Sequence, residues 1–151
     1  MRIENKCIFR DDSSRIKVEE LKRKAVFKNA ARVEFIKVQM DGCAIKGRKA
    51  ADWLVERDGV GQIIVELKGK NVEQGVKQVL ETADFWKKNK LRQGKLAGLI
   101  VCSQYPQVDT AVQKAKQSFA TRHKAQLHVV CGNREYVFEN VFKATGALKS
   151  K

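Results

Sequence analysis

The chain has 151 residues, of which 43% are hydrophobic and only one is proline. That length accommodates one domain with a real core and excludes two ordinary ones. Lys and Arg outnumber Asp and Glu by 31 to 17, a formal charge of +14. Such an excess favours a polyanionic partner, nucleic acid ahead of an anionic membrane surface.

The opening residues, "MRIENKCIFRDD", contain no apolar leader-like stretch, and no apolar run approaches the length of a membrane span. A cytoplasmic protein without membrane contact is expected. Asp12-Ser13-Ser14 reads as a helix start. Val18, Leu21, Ala25 and Val26 then recur at helical spacing, which predicts a first helix in "RIKVEELKRKAVFKNAA". "RVEFIKVQ", "KAADWLVERD" and "GQIIVELKGK" read as three strands, and Gly59 and Gly61 suit a turn that joins the last two as a hairpin.

The segment "NVEQGVKQVLETADFWKKNK" predicts a helix. Val72, Val76, Val79, Leu80, Ala83 and Trp86 form one apolar stripe, and Asn71 with Gln74 has capping-box spacing. "KLAGLIVCS" is continuously apolar, as a strand covered on both faces would be. A second amphipathic helix runs through Val108, Ala111, Val112, Ala115 and Phe119. "LHVVC", Gly132-Asn133 and "REYVFENV" then suggest a closing hairpin. The order predicts an α/β fold: a mixed β-sheet of about five strands flanked by helices, in a single domain over residues 1–151. Its core spans about 32–131, and residues 143–151 read as a frayed basic tail.

Cys7, Cys43, Cys102 and Cys131 lie far apart with no CxxC pair, so zinc-ligand spacing is absent. Buried free thiols in a reducing cytosol are expected. His123 and His128 stand next to no acid in sequence and receive no catalytic role.

The tripeptide Glu-Leu-Lys occurs twice, at Glu20–Lys22 and at Glu66–Lys68. In a helix, residues two apart diverge by about 200°, so the first copy reads as a solvated face. In a strand they share a side. The second copy therefore places Glu66 and Lys68 together at the end of an apolar strand. Asp52 interrupts the apolar run of the preceding strand, and a hairpin near Gly59–Gly61 sets Asp52 and Glu66 about equally far from the turn. Two facing carboxylates repel unless a positive charge lies between them, and a hard divalent cation satisfies that need. Asp41, before Gly42, reads as a turn acid.

Asp52 followed by Glu66-x-Lys68 on the next strand, and then at once by an amphipathic helix, resembles the PD-(D/E)xK, or restriction-endonuclease-like, nuclease superfamily. So do "MDGCAIKGRKAADWLV" and "VELKG", which look like small uncharacterised bacterial members. The resemblance covers about residues 32–102 and implies a restriction-endonuclease-like core. It also implies a Mg²⁺- or Mn²⁺-dependent nuclease that hydrolyses phosphodiester bonds in DNA. The roles it carries over are metal binding by Asp52, Glu66 and the Leu67 carbonyl, with Lys68 assisting the hydrolytic water. Catalysis would rest on Asp52, Glu66 and Lys68. The residue before the family Asp is often Pro and is Ala51 here. Some members add a Gln from the following helix, for which Gln78 is the candidate, or an acid from the first helix, for which Glu19 and Glu20 are the candidates, with no spacing to select one. Small members often dimerise to cut two strands, which implies a homodimer. Lys46, Arg48, Lys49 and Lys70 are candidate nucleic-acid contacts. The alternative function is a non-catalytic nucleic-acid-binding module, or an accessory subunit of a mobile-element or defence system.

Overall fold

In the computed structural model, which describes residues 2–67, 71–104 and 110–144, strands rather than a helix follow the N-terminal arm. After β1 (Ile8–Asp11), the segment expected to be helical folds as the antiparallel hairpin β2 (Arg15–Glu20) and β3 (Arg23–Lys28). Positions 18, 21 and 25 fit helical spacing, but Ile16, Val18, Ala25 and Phe27 also fit alternation, and all four are buried. Leu21 sits in the two-residue turn at φ +52° and is 94% exposed. The first Glu-Leu-Lys copy is thus a hairpin tip, solvated as expected but not helical.

The large sheet has six strands in the order β1, β4 (Phe35–Gln39), β5 (Trp53–Arg57), β6 (Gly61–Leu67), β7 (Lys95–Cys102), β8 (Gln126–Cys131). Pairings from β1 through β6 are antiparallel, and β6–β7 and β7–β8 are parallel. The sheet is mixed, as expected, and one strand larger. Each parallel step is bridged by a helix: α1 (Val72–Lys88) from β6 to β7, and α2 (Thr110–His123) from β7 to β8. Asn71 caps α1 by accepting from the Gln74 amide at 3.1 Å. Val108 and the C-terminal residues 145–151 lie outside the described residues.

A second sheet runs β2–β3–β9 (Arg134–Tyr136), with β9 parallel to β3. The closing hairpin is therefore corrected. The chain does turn at Gly132 (φ +78°), but β8 pairs with β7 and β9 crosses to the other sheet. Tyr136 is buried there against Phe27, with ring centroids 5.7 Å apart.

Two apolar clusters fill the spaces on either side of the large sheet. Leu54, Ile64, Ile100 and Cys102 join the α1 and α2 side chains on one face. Val55, Ile63, Val65, Leu67 and Leu99 join Ile16, Phe27 and Phe138 beneath the second sheet on the other. Gly98 permits the helices to approach, since a Cβ there would lie 2.7 Å from Leu127 Cδ1 and 2.9 Å from Val79 Cγ1. Among the described residues no helix is long and apolar enough to cross a membrane.

Cys7 and Cys43 form a disulfide linking the N-terminal arm to the β4–β5 loop. The free-thiol expectation is corrected for these two, whose partners are separated by 36 residues and carry no spacing signature. Cys102 and Cys131 remain thiols.

Candidate functional site

The β5–β6 register brings the two predicted acids together. The strands turn at Gly59 (φ +80°), and Trp53 pairs with Val65. The register ends there, and one further antiparallel step would set Asp52 across from Glu66. Asp52 Oδ2 accepts a hydrogen bond from the Leu67 amide at 2.8 Å. Its carboxylate therefore lies against the backbone of the residue that follows Glu66. Both acids share the helix side of the sheet, because Leu54 and Ile64, two residues from each, belong to the α1-side cluster. Glu66 is 1% exposed, and Asp52 is half-buried.

Three residues before β5 are held in place by hydrogen bonds. The Ala50 amide donates to Asp41 Oδ1 at 3.2 Å, which matches the turn-acid reading of Asp41. Gln78 Nε2 on α1 donates to the Ala50 carbonyl at 3.0 Å. The Ala51 amide donates to Thr82 Oγ1 at 2.8 Å, and that hydroxyl donates onward to the Gln78 carbonyl at 2.7 Å. The Asp52 carbonyl accepts from the Met40 amide at 2.9 Å. Asp52 is thus presented by a segment clamped from α1 and from β4's end. Its conformational freedom is spent in folding rather than in any later encounter. Ala51, where the resembled family often has proline, supplies the N–H that Thr82 binds, which proline lacks.

Gln78 is placed within this clamp, while Glu20 is not. Glu20 ends β2, opposite Arg23, in the sheet that covers the other face. Lys68 and Lys70 lie outside the described residues. Thr82 was missed by sequence reasoning. Its signal was its helical spacing: four residues after Gln78, it continues the same face of α1.

Lys46, Arg48 and Lys49 are exposed on the loop that leads into Asp52. Arg48 stacks over the Phe85 ring at 5.4 Å from its centroid. It also lines a groove of about 610 Å³ with Glu81, Asp84, Phe85, Lys88 and Asn89. Lys46 pairs with Glu4 at 3.3 Å, and that ammonium holds the Glu4 carboxyl below its usual range. Both Trp86 and Trp53 sit among core residues, with Trp86 Nε1 donating to Gln62 Oε1 at 3.2 Å.

The histidines are structural. His123, 39 residues from Asp84, donates from Nε2 to Asp84 Oδ1 at 2.8 Å and ties α2 to α1. His128 donates from Nε2 to the Val141 carbonyl at 2.8 Å. Burial lowers the pKa of both, outweighing the opposing pull of Asp84 on His123 and of the Val141 carbonyl on His128.

The metal ligands that the resemblance implies, Asp52, Glu66 and the Leu67 carbonyl, all offer oxygen, the donor type a hard divalent cation prefers. Gln78 Oε1 is buried and has no hydrogen-bond partner among the described residues. Among those residues no group of three or more His, Cys, Asp and Glu side chains could hold a metal ion. In comparisons with known proteins, no family model, curated protein or solved structure matches the chain.

Proposed function

We propose that the protein is a Mg²⁺-dependent nuclease of the restriction-endonuclease-like type that hydrolyses phosphodiester bonds in DNA. The observation that carries this reading is the Asp52–Leu67 hydrogen bond, which places one carboxylate beside the backbone of the other's strand. The mixed sheet supports it too, because α1 follows β6 directly and clamps the segment that presents Asp52. The +14 charge supplies attraction for a phosphate backbone.

Bound at Asp52 and Glu66, Mg²⁺ or Mn²⁺ would supply Lewis-acid charge to the scissile phosphate and acidify a water. The chain's own groups do the rest. Asp52 is oriented by the Leu67 amide and held by the Ala50–Gln78 and Ala51–Thr82 bonds. Glu66 is buried, and an interaction between its carboxylate and a cation there would be screened little by solvent. Lys68, two residues after Glu66 in sequence, would take the water's proton or stabilise the charge that develops on the phosphate. Lys46, Arg48, Lys49 and Lys70 track the backbone without reading bases. A homodimer would present two such sites to one duplex.

The burial of Glu66 favours a second reading, a DNA-binding module or accessory subunit in which cleavage is lost or needs a partner. Supercoiled plasmid incubated with the full chain and Mg²⁺ separates the two. Nicking that EDTA stops and Glu66→Gln abolishes supports the enzyme. Plasmid that is retarded in a gel yet stays supercoiled supports the binder and overturns the nuclease.

A further inference from the structure

Cys102 and Cys131 occupy the ends of the adjacent parallel strands β7 and β8 and are register partners. Their sulfurs are 3.3 Å apart. Neighbouring strands are spaced about 4.8 Å apart, inside the Cα separation that a disulfide tolerates, about 4.4–6.8 Å. The sulfurs need to close by only roughly 1.3 Å to reach bonding distance. The ladder fixes them there: Val101 pairs with Val130 one step earlier, and the Gly132 amide donates to the Cys102 carbonyl at 3.0 Å. Neither candidate metal chemistry nor the hydrogen-bond clamp uses this pair.

We propose that Cys102 and Cys131 form a reversible disulfide, a modification site that ties β7 to β8 and encloses all of α2 in a covalent loop. The inference does not rest on the nuclease reading. Cys131 is half-buried and Cys102 fully buried, so an oxidant meets Cys131 first. The oxidant is hydrogen peroxide. The Cys131 sulfur attacks the peroxide O–O bond, forming a sulfenic acid and releasing water. The Cys102 sulfur then attacks the sulfenyl sulfur, the S–O bond breaks, and the Cys102 proton leaves with the hydroxide as a second water. Two thiols are oxidised by two electrons, and one peroxide is reduced to two waters.

Burial, with the neighbouring Cys131 thiol adding to it, pushes the Cys102 thiol up to about 12. Cys102 is therefore a poor nucleophile towards outside reagents. Against a sulfenic acid held in contact it reacts as an intramolecular group, for which effective concentration rather than thiolate fraction sets the rate. Glutathione disulfide would reach the same product by exchange through a mixed disulfide at Cys131. Cys102 also lies on Glu66's side of the sheet, two residues past Ile100, which is Glu66's register partner.

The test uses the full chain, purified without reductant and treated with a slight excess of hydrogen peroxide. It is then denatured, alkylated with iodoacetamide and mapped as peptides by mass spectrometry. The expected result is loss of both alkylatable thiols and a Cys102–Cys131 linked peptide two hydrogen masses lighter than the pair, restored by dithiothreitol. The Cys7–Cys43 peptide in the same map reports that the disulfides have not been scrambled. In Cys102→Ser, Cys131 should instead advance to sulfinic acid. Wild-type protein in which Cys131 over-oxidises while Cys102 stays alkylatable, or in which both stay alkylatable, overturns the proposal.

Discussion

The Ala51 amide and the Thr82 hydroxyl meet at 2.8 Å, and both residues are fully buried. This bond joins the segment before Asp52 to the middle of α1. Thr82→Val keeps the shape and leaves the amide unpaired in the core, at a cost of about 1–3 kcal/mol. Ala51→Pro removes the same bond from the other side. The pair should therefore be less than additive in a double-mutant cycle measured by urea unfolding. Strict additivity would mean that the bond carries no stability.

Asp52 accepts from the Leu67 amide and, under the proposed nuclease reading, would also hold a cation, two jobs that mutation can separate. Asp52→Asn keeps an oxygen that can accept from that amide but drops the charge. It should unfold near the wild-type urea midpoint while losing at least about 100-fold in nicking rate and in Mn²⁺ affinity by calorimetry. Asp52→Ala strands the amide as well and should cost a further ~1–3 kcal/mol in stability. Equal stability of the two variants would show that the hydrogen bond is not a support.

The Lys46–Arg48–Lys49 loop gives a salt-dependent signature. Replacing all three with Gln should weaken DNA binding at low salt. It should also flatten the slope of log affinity against log salt by up to about 3. Arg48 contributes least if its stack on Phe85 persists in the complex. A slope unchanged from wild type would remove this loop from the DNA surface.

Stability should fall on mild acidification. Both His123 and His128 have folded-state pKa values below the ordinary 6.5 because of burial. Near neutral pH and above, both states leave them uncharged and they contribute nothing. As pH falls through 6.5, the unfolded chain takes up protons that the folded chain refuses. The native state therefore loses ground until the lower folded values are passed. Lys116 near His128, and Lys87 with Arg92 near His123, push the same way, while Asp84 opposes. Asp11, whose pKa lies below 3.8 because Ser13 and Lys37 outweigh its burial, keeps its contribution throughout this window. Urea midpoints at about pH 7.5 and pH 5.5 check this. His128→Gln should shrink the difference, and a flat profile in wild type would contradict the burial account.

The elements around Asp52 and Glu66 were legible because their causes are local. Gly59 and Gly61 punctuate a hairpin, β-branched residues fill β6, and α1 has a full stripe and an Asn71 cap. The β2–β3 segment was misread because apolar residues spaced three and four apart also satisfy a period of two, and only burial under the second sheet chooses between them. The pairing of β9 with β3 and of Cys7 with Cys43 joins residues separated by about a hundred and by 36 positions. Nothing local encodes either. The Thr82 clamp was hidden for a related reason: a hydroxyl on the apolar side of a helix reads as neutral until its backbone partner is known.

The Cys7–Cys43 bridge bears on how the protein is handled at the bench. Cys43 lies in the turn from which Asp41 reaches the Ala50 amide, two residues ahead of Asp52. Dithiothreitol, a common additive in nuclease buffers, would cut the N-terminal arm loose from that turn and so slacken the scaffold behind Asp52, a ligand only in the proposed metal site. Rates recorded with and without it should differ for this mechanical reason alone, and a preparation kept reduced for convenience would understate what the folded molecule can do.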